Sequence, residues 1–216
     1  MSGEWVVVGA VEHVETLRDH WWWRPGWREG RHFYACHFTF ENQRQVRELV
    51  SEYQSVLRPM EGLDPIPAEW LHMTMQGVGF VDEIAPEERK QLLKALATRL
   101  AMVPPPVVTF HRPVVRPEAV YLPAEPMEPI HTVRAAVRES IAEVLGDGAL
   151  DEAADYRPHV SVAYSNTTQD AGPIVSSLTG LRTSAVVAEF PTVRFLEFHR
   201  DRRMYEWTVS EPLRIG

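Results

Sequence analysis

The chain has one cysteine, Cys36, among 216 residues. A single cysteine excludes an intramolecular disulfide and any cysteine cluster for zinc. Long apolar runs are also absent, and none approaches the roughly 18 residues that a membrane span requires. Residues 1–20 lack the basic start and extended apolar stretch of a secretion signal. A cytoplasmic protein with no membrane partner is therefore expected. Positive charge is scarce: 22 Lys and Arg against 30 Asp and Glu leave a net charge of −8. Tight binding of long nucleic acids rests on neutralising many phosphates, so a small nucleotide or a short RNA end is the easier partner. No G-x-S-x-G segment offers an exposed serine nucleophile, which argues against acyl transfer. No low-complexity tract or long linker divides the chain, whose length suits one domain or two joined lobes.

Histidine is well supplied, with nine copies, and two of them share a pattern. His72-Met73-Thr74-Met75 and His159-Val160-Ser161-Val162 each place a histidine two residues before a hydroxyl in an alternating run. Alternate strand residues face the same side. His72 should therefore project with Thr74, and His159 with Ser161, while their apolar neighbours enter a core. The copies lie 87 positions apart (159 − 72). Brought face to face, they would set two imidazoles and two hydroxyls around one small volume.

Those parts suit acid–base chemistry on a phosphate ester, with no metal and no cofactor. Histidine, with an unperturbed pKa of about 6.5, both takes and gives a proton near neutrality. Opening a cyclic phosphodiester needs a base to deprotonate water and an acid to protonate the departing ribose oxygen. Hydroxyls at Thr74 and Ser161 can donate to the non-bridging oxygens. A third match, His37-Phe38-Thr39-Phe40, shows that the bare pattern is not specific. Its strand precedes the first helix and has no glycine-rich exit, so His37 reads as structural. His13, His20, His32, His111, His131 and His199 have no regular ligand spacing and read as surface or core residues.

Apolar periodicity predicts helices over 43–57, 86–101, 127–145 and 171–180, with Gly146 stopping the third. Strands are expected at 32–40, 70–80, 107–110, 119–122, 157–164, 185–190, 192–199 and 204–210. Strands alternate with helices, which favours a mixed α/β or α+β class. Strand, helix and motif strand recur in both halves, suggesting two related lobes that each supply one motif. The segment Trp21 to Arg31 holds four tryptophans and three arginines around Pro25, Gly26 and Gly30. It could stack a base and contact phosphate. The plainer reading is an aromatic flap over the core with its arginines in solvent. Residues 1–31 are accordingly set apart as a segment packed on a domain spanning 32–216.

The two motifs, with Arg157-Pro158 before the second and Gln76-Gly77-Val78-Gly79-Phe80 after the first, resemble the two-histidine phosphoesterase superfamily. The resemblance covers about residues 32–210, within the 2′-5′ RNA ligase and RNA 2′,3′-cyclic phosphodiesterase branch. It implies a bilobal α+β fold with a pseudo-twofold axis, outer helices and a central cleft. A monomer is expected. The resemblance also implies that His72 and His159 are the catalytic pair and that Thr74 and Ser161 bind phosphate. Plant-type members carry a tyrosine five residues after the second histidine, where Tyr164 stands; Tyr164 and Arg157 are thereby implied as substrate-binding residues. By strict alternation Tyr164 faces away from His159, so its role requires the strand to end or bulge first. The activity so implied is hydrolysis of a 2′,3′-cyclic phosphate to a 2′-phosphate. Ligation of cyclic-phosphate RNA ends and non-catalytic nucleotide binding are the alternatives.

Overall fold

A computed structural model describes residues 5–8, 11–150 and 155–216. The four periodic stretches form helices α1 (Arg44–Leu57), α2 (Pro86–Leu100), α3 (Glu128–Leu145) and α4 (Gly172–Gly180). Each buries the stripe that its spacing defines. In α2, Leu92, Leu96 and Leu100 recur every fourth residue and are fully buried. A leucine so buried contributes roughly 1.5–3 kcal/mol. Helix α3 stops at Gly146, whose φ of +85° is a conformation glycine adopts without steric cost.

The strands pair antiparallel throughout. Two-stranded ribbons join β1 (Trp5–Val8) to β2 (Val11–Val14), and β3 (Thr16–Leu17) to β11 (Gln169–Asp170). A third joins β7 (Val107–Phe110) to β12 (Val186–Glu189). Two four-stranded sheets form the body of the molecule. The first has the order β14 (Glu206–Arg214), β13 (Thr192–His199), β4 (Phe33–Thr39), β6 (His72–Phe80). The second has the order β5 (Leu63–Pro65), β10 (His159–Ser165), β9 (Ala119–Pro123), β8 (Val114–Arg116). Strand β6 carries the first motif and β10 the second, and the two strands lie against each other.

The halves of the chain are not the lobes. The C-terminal hairpin β13–β14 completes the first sheet, while β5, from the first half, completes the second. The helices cross over as well. Helix α1, which precedes the first motif, packs on β5 and β10 of the second sheet. Helix α3, which precedes the second motif, packs on β6 of the first. This exchange welds the lobes through one continuous apolar core and fixes the motif strands side by side.

Candidate active site

The two histidines are held in the same way. His72 Nδ1 lies 2.8 Å from the Trp70 carbonyl, and His159 Nδ1 lies 2.7 Å from the Arg157 carbonyl. A carbonyl only accepts, so each Nδ1 carries the hydrogen, and Nε2 is left as the nitrogen for proton transfer. Both rings line one cleft of about 520 Å³ together with Thr74 and Ser161. Burial pushes the His72 imidazole down to about 4; the Trp70 carbonyl opposes this, and the charges of His159 and His20 add to it. Burial likewise lowers His159, against the pull of the Arg157 carbonyl. An anionic phosphate seated between the rings acts in the opposite direction and favours imidazolium.

Each motif strand carries a β-bulge directly after its hydroxyl residue. Along β6, Thr74 pairs with His37 and Gln76 with Cys36, which leaves Met75 as the extra residue. Along β10, Ser161 pairs with Tyr121 and Ala163 with Val120, which leaves Val162 extra. A bulge shifts the alternation by one and re-aims the side chains beyond it. Tyr164, five residues beyond His159, therefore turns into the cleft that Ser161 also lines. Gly77, five residues beyond His72, is its counterpart on the other strand and also lines the cleft. A Cβ at Gly77 would stand 3.1 Å from the Phe33 ring, so the missing side chain makes room for that aromatic.

Tyr121, Glu118, Arg200 and Tyr205 line the cleft without a sequence signal, and His37, the third match to the motif pattern, joins them. Tyr121 stacks on His159 with ring centroids 4.1 Å apart. His37 packs edge-on against His72 at 4.8 Å, with Nδ1 3.4 Å from Thr74 Oγ1. Arg157 contributes its carbonyl, while its side chain bonds to Asp155 and lies outside the cleft. His20, Glu118, Arg200 and Tyr205 come from separate segments that only the folded chain assembles.

The tryptophan–arginine segment forms one wall of the cleft. Arg18, His20, Arg24 and Trp27 line it. Trp21 is buried, with its indole N–H donating to Asp64, and Trp27 stacks on Phe33. Trp21 and Trp27 are thus packed as the plainer sequence reading has it, whereas Trp22 and Trp23 stand about half exposed. The segment's arginines are engaged and not simply in solvent: Arg24 reaches Glu118 at 2.8 Å, and Arg31 reaches Asp82 at 2.7 Å. Glu118 also accepts from Arg18, His20 and Trp22. Burial pushes the Glu118 carboxyl up, but the His20 hydrogen bond, the Arg24 charge and Trp22 outweigh it and hold it at about 2.

Among the described residues, no group of three or more His, Cys, Asp or Glu is placed to hold a metal ion, and no helix is long and apolar enough to cross a membrane. No curated protein matches the chain. The fold does match solved structures. TT0787 of Thermus thermophilus superposes with a TM-score of 0.59 at 22% identity, over 86% of this chain and 99% of that one. E. coli LigT, solved with 3′-AMP, superposes with a TM-score of 0.56 at 16% identity, over 85% and 98%. LigT solved with ATP gives a TM-score of 0.54 at 17% identity, over 85% and 99%. Residues 40–202 match the sequence model of the 2′-5′ RNA ligase superfamily, and the chain belongs to that family.

Proposed function

We propose that the protein is a phosphodiesterase that opens a 2′,3′-cyclic phosphate to a 2′-phosphate using its two histidines. The observation that carries this reading is the matched pair of latches, which leaves two Nε2 atoms for one cleft. One imidazole accepts a proton from water as the water oxygen bonds to phosphorus. The other gives its proton to the ribose 3′ oxygen as the P–O3′ bond breaks. Thr74 and Ser161 donate to the non-bridging oxygens, where negative charge grows. The near-symmetric latches let either histidine serve as base, and the step needs no metal. A ligase reading runs the same residues in reverse on an RNA end.

The test is turnover of a nucleoside 2′,3′-cyclic phosphate, with the position of the product phosphate read by ³¹P NMR. His72→Ala and His159→Ala should each lower the rate by roughly 10²–10⁴-fold, and a chelator should leave the rate unchanged. Full activity in either folded variant would overturn the assignment.

A further inference from the structure

The segment before the family-matched region, which begins at residue 40, is strapped across both lobes. On the second lobe Arg18, Trp22 and Arg24 hold Glu118, and Trp21 holds Asp64. On the first lobe Trp27 packs against Phe33, Phe80 and Phe198, and Arg31 bonds to Asp82 and Glu83. The strap thus closes one side of the cleft with cationic groups.

Arg200 completes that wall from the first lobe. It is only 4% exposed, yet its Nη1 has no hydrogen-bond partner. Its Nη2 donates to the His20 carbonyl, and its guanidinium sits 5.5 Å from the ring centroids of Trp21 and Tyr205. Ring faces stabilise a buried guanidinium only partly, and a buried donor without a partner is costly. Arg24 retains capacity too. Of its five donors, one meets Glu118 and a second, at 3.4 Å, meets Tyr205.

Charge adds a second observation. Besides Arg116, which bonds to Tyr121, the cleft is faced by Arg18, Arg24 and Arg200 against one carboxylate, Glu118. Those three positive charges against one negative charge leave a surplus of two, in a chain whose net charge is −8. A cyclic phosphodiester carries one negative charge and occupies the histidines and hydroxyls. We infer that Arg24 and Arg200 form a second phosphate subsite beside the two histidines. The substrate is then a nucleotide with a further phosphate group beyond the cyclic one.

This inference rests on the phosphodiesterase reading, and the experiment separates the two. The probes are a nucleoside 2′,3′-cyclic phosphate, the same nucleoside with a 5′-phosphate, and a dinucleotide ending in the cyclic phosphate. The wild-type kcat/KM should be roughly 10–100-fold higher for one or both of the probes with a second phosphate, as expected of a charged hydrogen-bonding pair. Preference for the 5′-phosphate identifies a terminal phosphate as the ligand; preference for the dinucleotide identifies an internucleotide one. Arg24→Gln should bring the ratio toward one, and Arg24→Lys should restore part of it. Calorimetry with the same probes on the His72→Ala protein should show the same ratio in affinity. Equal kcat/KM and equal affinity for all three probes in proteins with an intact strap would overturn the subsite. Absence of turnover with the affinity ratio retained would overturn the phosphodiesterase reading alone.

Discussion

His37 differs from His72 and His159 in where its nitrogens point. Its Nδ1 is spent on Thr74, and its Nε2 is buried with no partner. Burial, helped by the charge of His72, holds it neutral well below the ordinary histidine range. With Nδ1 on Thr74 and Nε2 buried, the ring offers no nitrogen to water, so its contribution is packing and the orientation of Thr74. His37→Phe should therefore lower kcat/KM by no more than about tenfold, the worth of one ordinary hydrogen bond. Thr74→Val removes the proposed donor to developing charge and should cost roughly 10²-fold in kcat, with Thr74→Ser recovering most of it. The proposed catalytic pair carries a pH prediction of its own. Both free-enzyme histidines lie below 6.5, His72 at about 4. The bell of kcat/KM, which needs one ring neutral and one protonated, should peak on the acid side of about 6.5. A maximum above about pH 7.5 would contradict the lowered values.

At the scale of elements, the helices were legible because their apolar residues recur with a strong 3.6-residue period. All four lie within a residue of the predicted bounds. Strands of two or three residues were not: β5 has three residues, one of them Pro65, and reads as a connection. Strand β14 extends past the expected 210 to Arg214 despite Pro212; it is an edge strand, where a missing N–H is tolerated. The exchange of α1 and α3 between lobes could not be read locally, because either sheet satisfies an amphipathic face. The bulges also escape a period-2 reading, yet they settle how Tyr164 reaches the cleft. The strap depends on a turn at Gly26, where φ is +81° and a Cβ would meet the Phe80 ring at 2.6 Å. Gly26→Ala should loosen the strap at a cost of about 1–3 kcal/mol, seen as a lower melting temperature and a change in tryptophan emission.

For the whole molecule, the titration of buried histidines couples stability to pH. Burial lowers His13, His20 and His37, and each is less than a tenth exposed. In the unfolded chain these rings take up a proton near 6.5; in the folded protein they do so only at lower pH. The unfolded state thus binds more protons below about 6.5, and stability must fall as pH falls through that window. Each histidine adds up to about 1.4 kcal/mol per pH unit to the slope, a large effect beside a typical total of about 5–15 kcal/mol. Glu118 works in the same direction but in a lower window, because its folded value of about 2 lies beneath the ordinary 4.5. Its contribution is intact above 4.5 and is lost as pH drops toward 2. Urea unfolding followed by tryptophan fluorescence should therefore show a midpoint that drops between about pH 7.5 and pH 5, with a further loss below about 4.5. His20→Gln isolates one member of the set. His20 bridges Glu118 and Tyr205 at the base of the strap, so the variant should be less stable near neutrality and less sensitive to acid. An unchanged pH slope in that variant would remove His20 from the set.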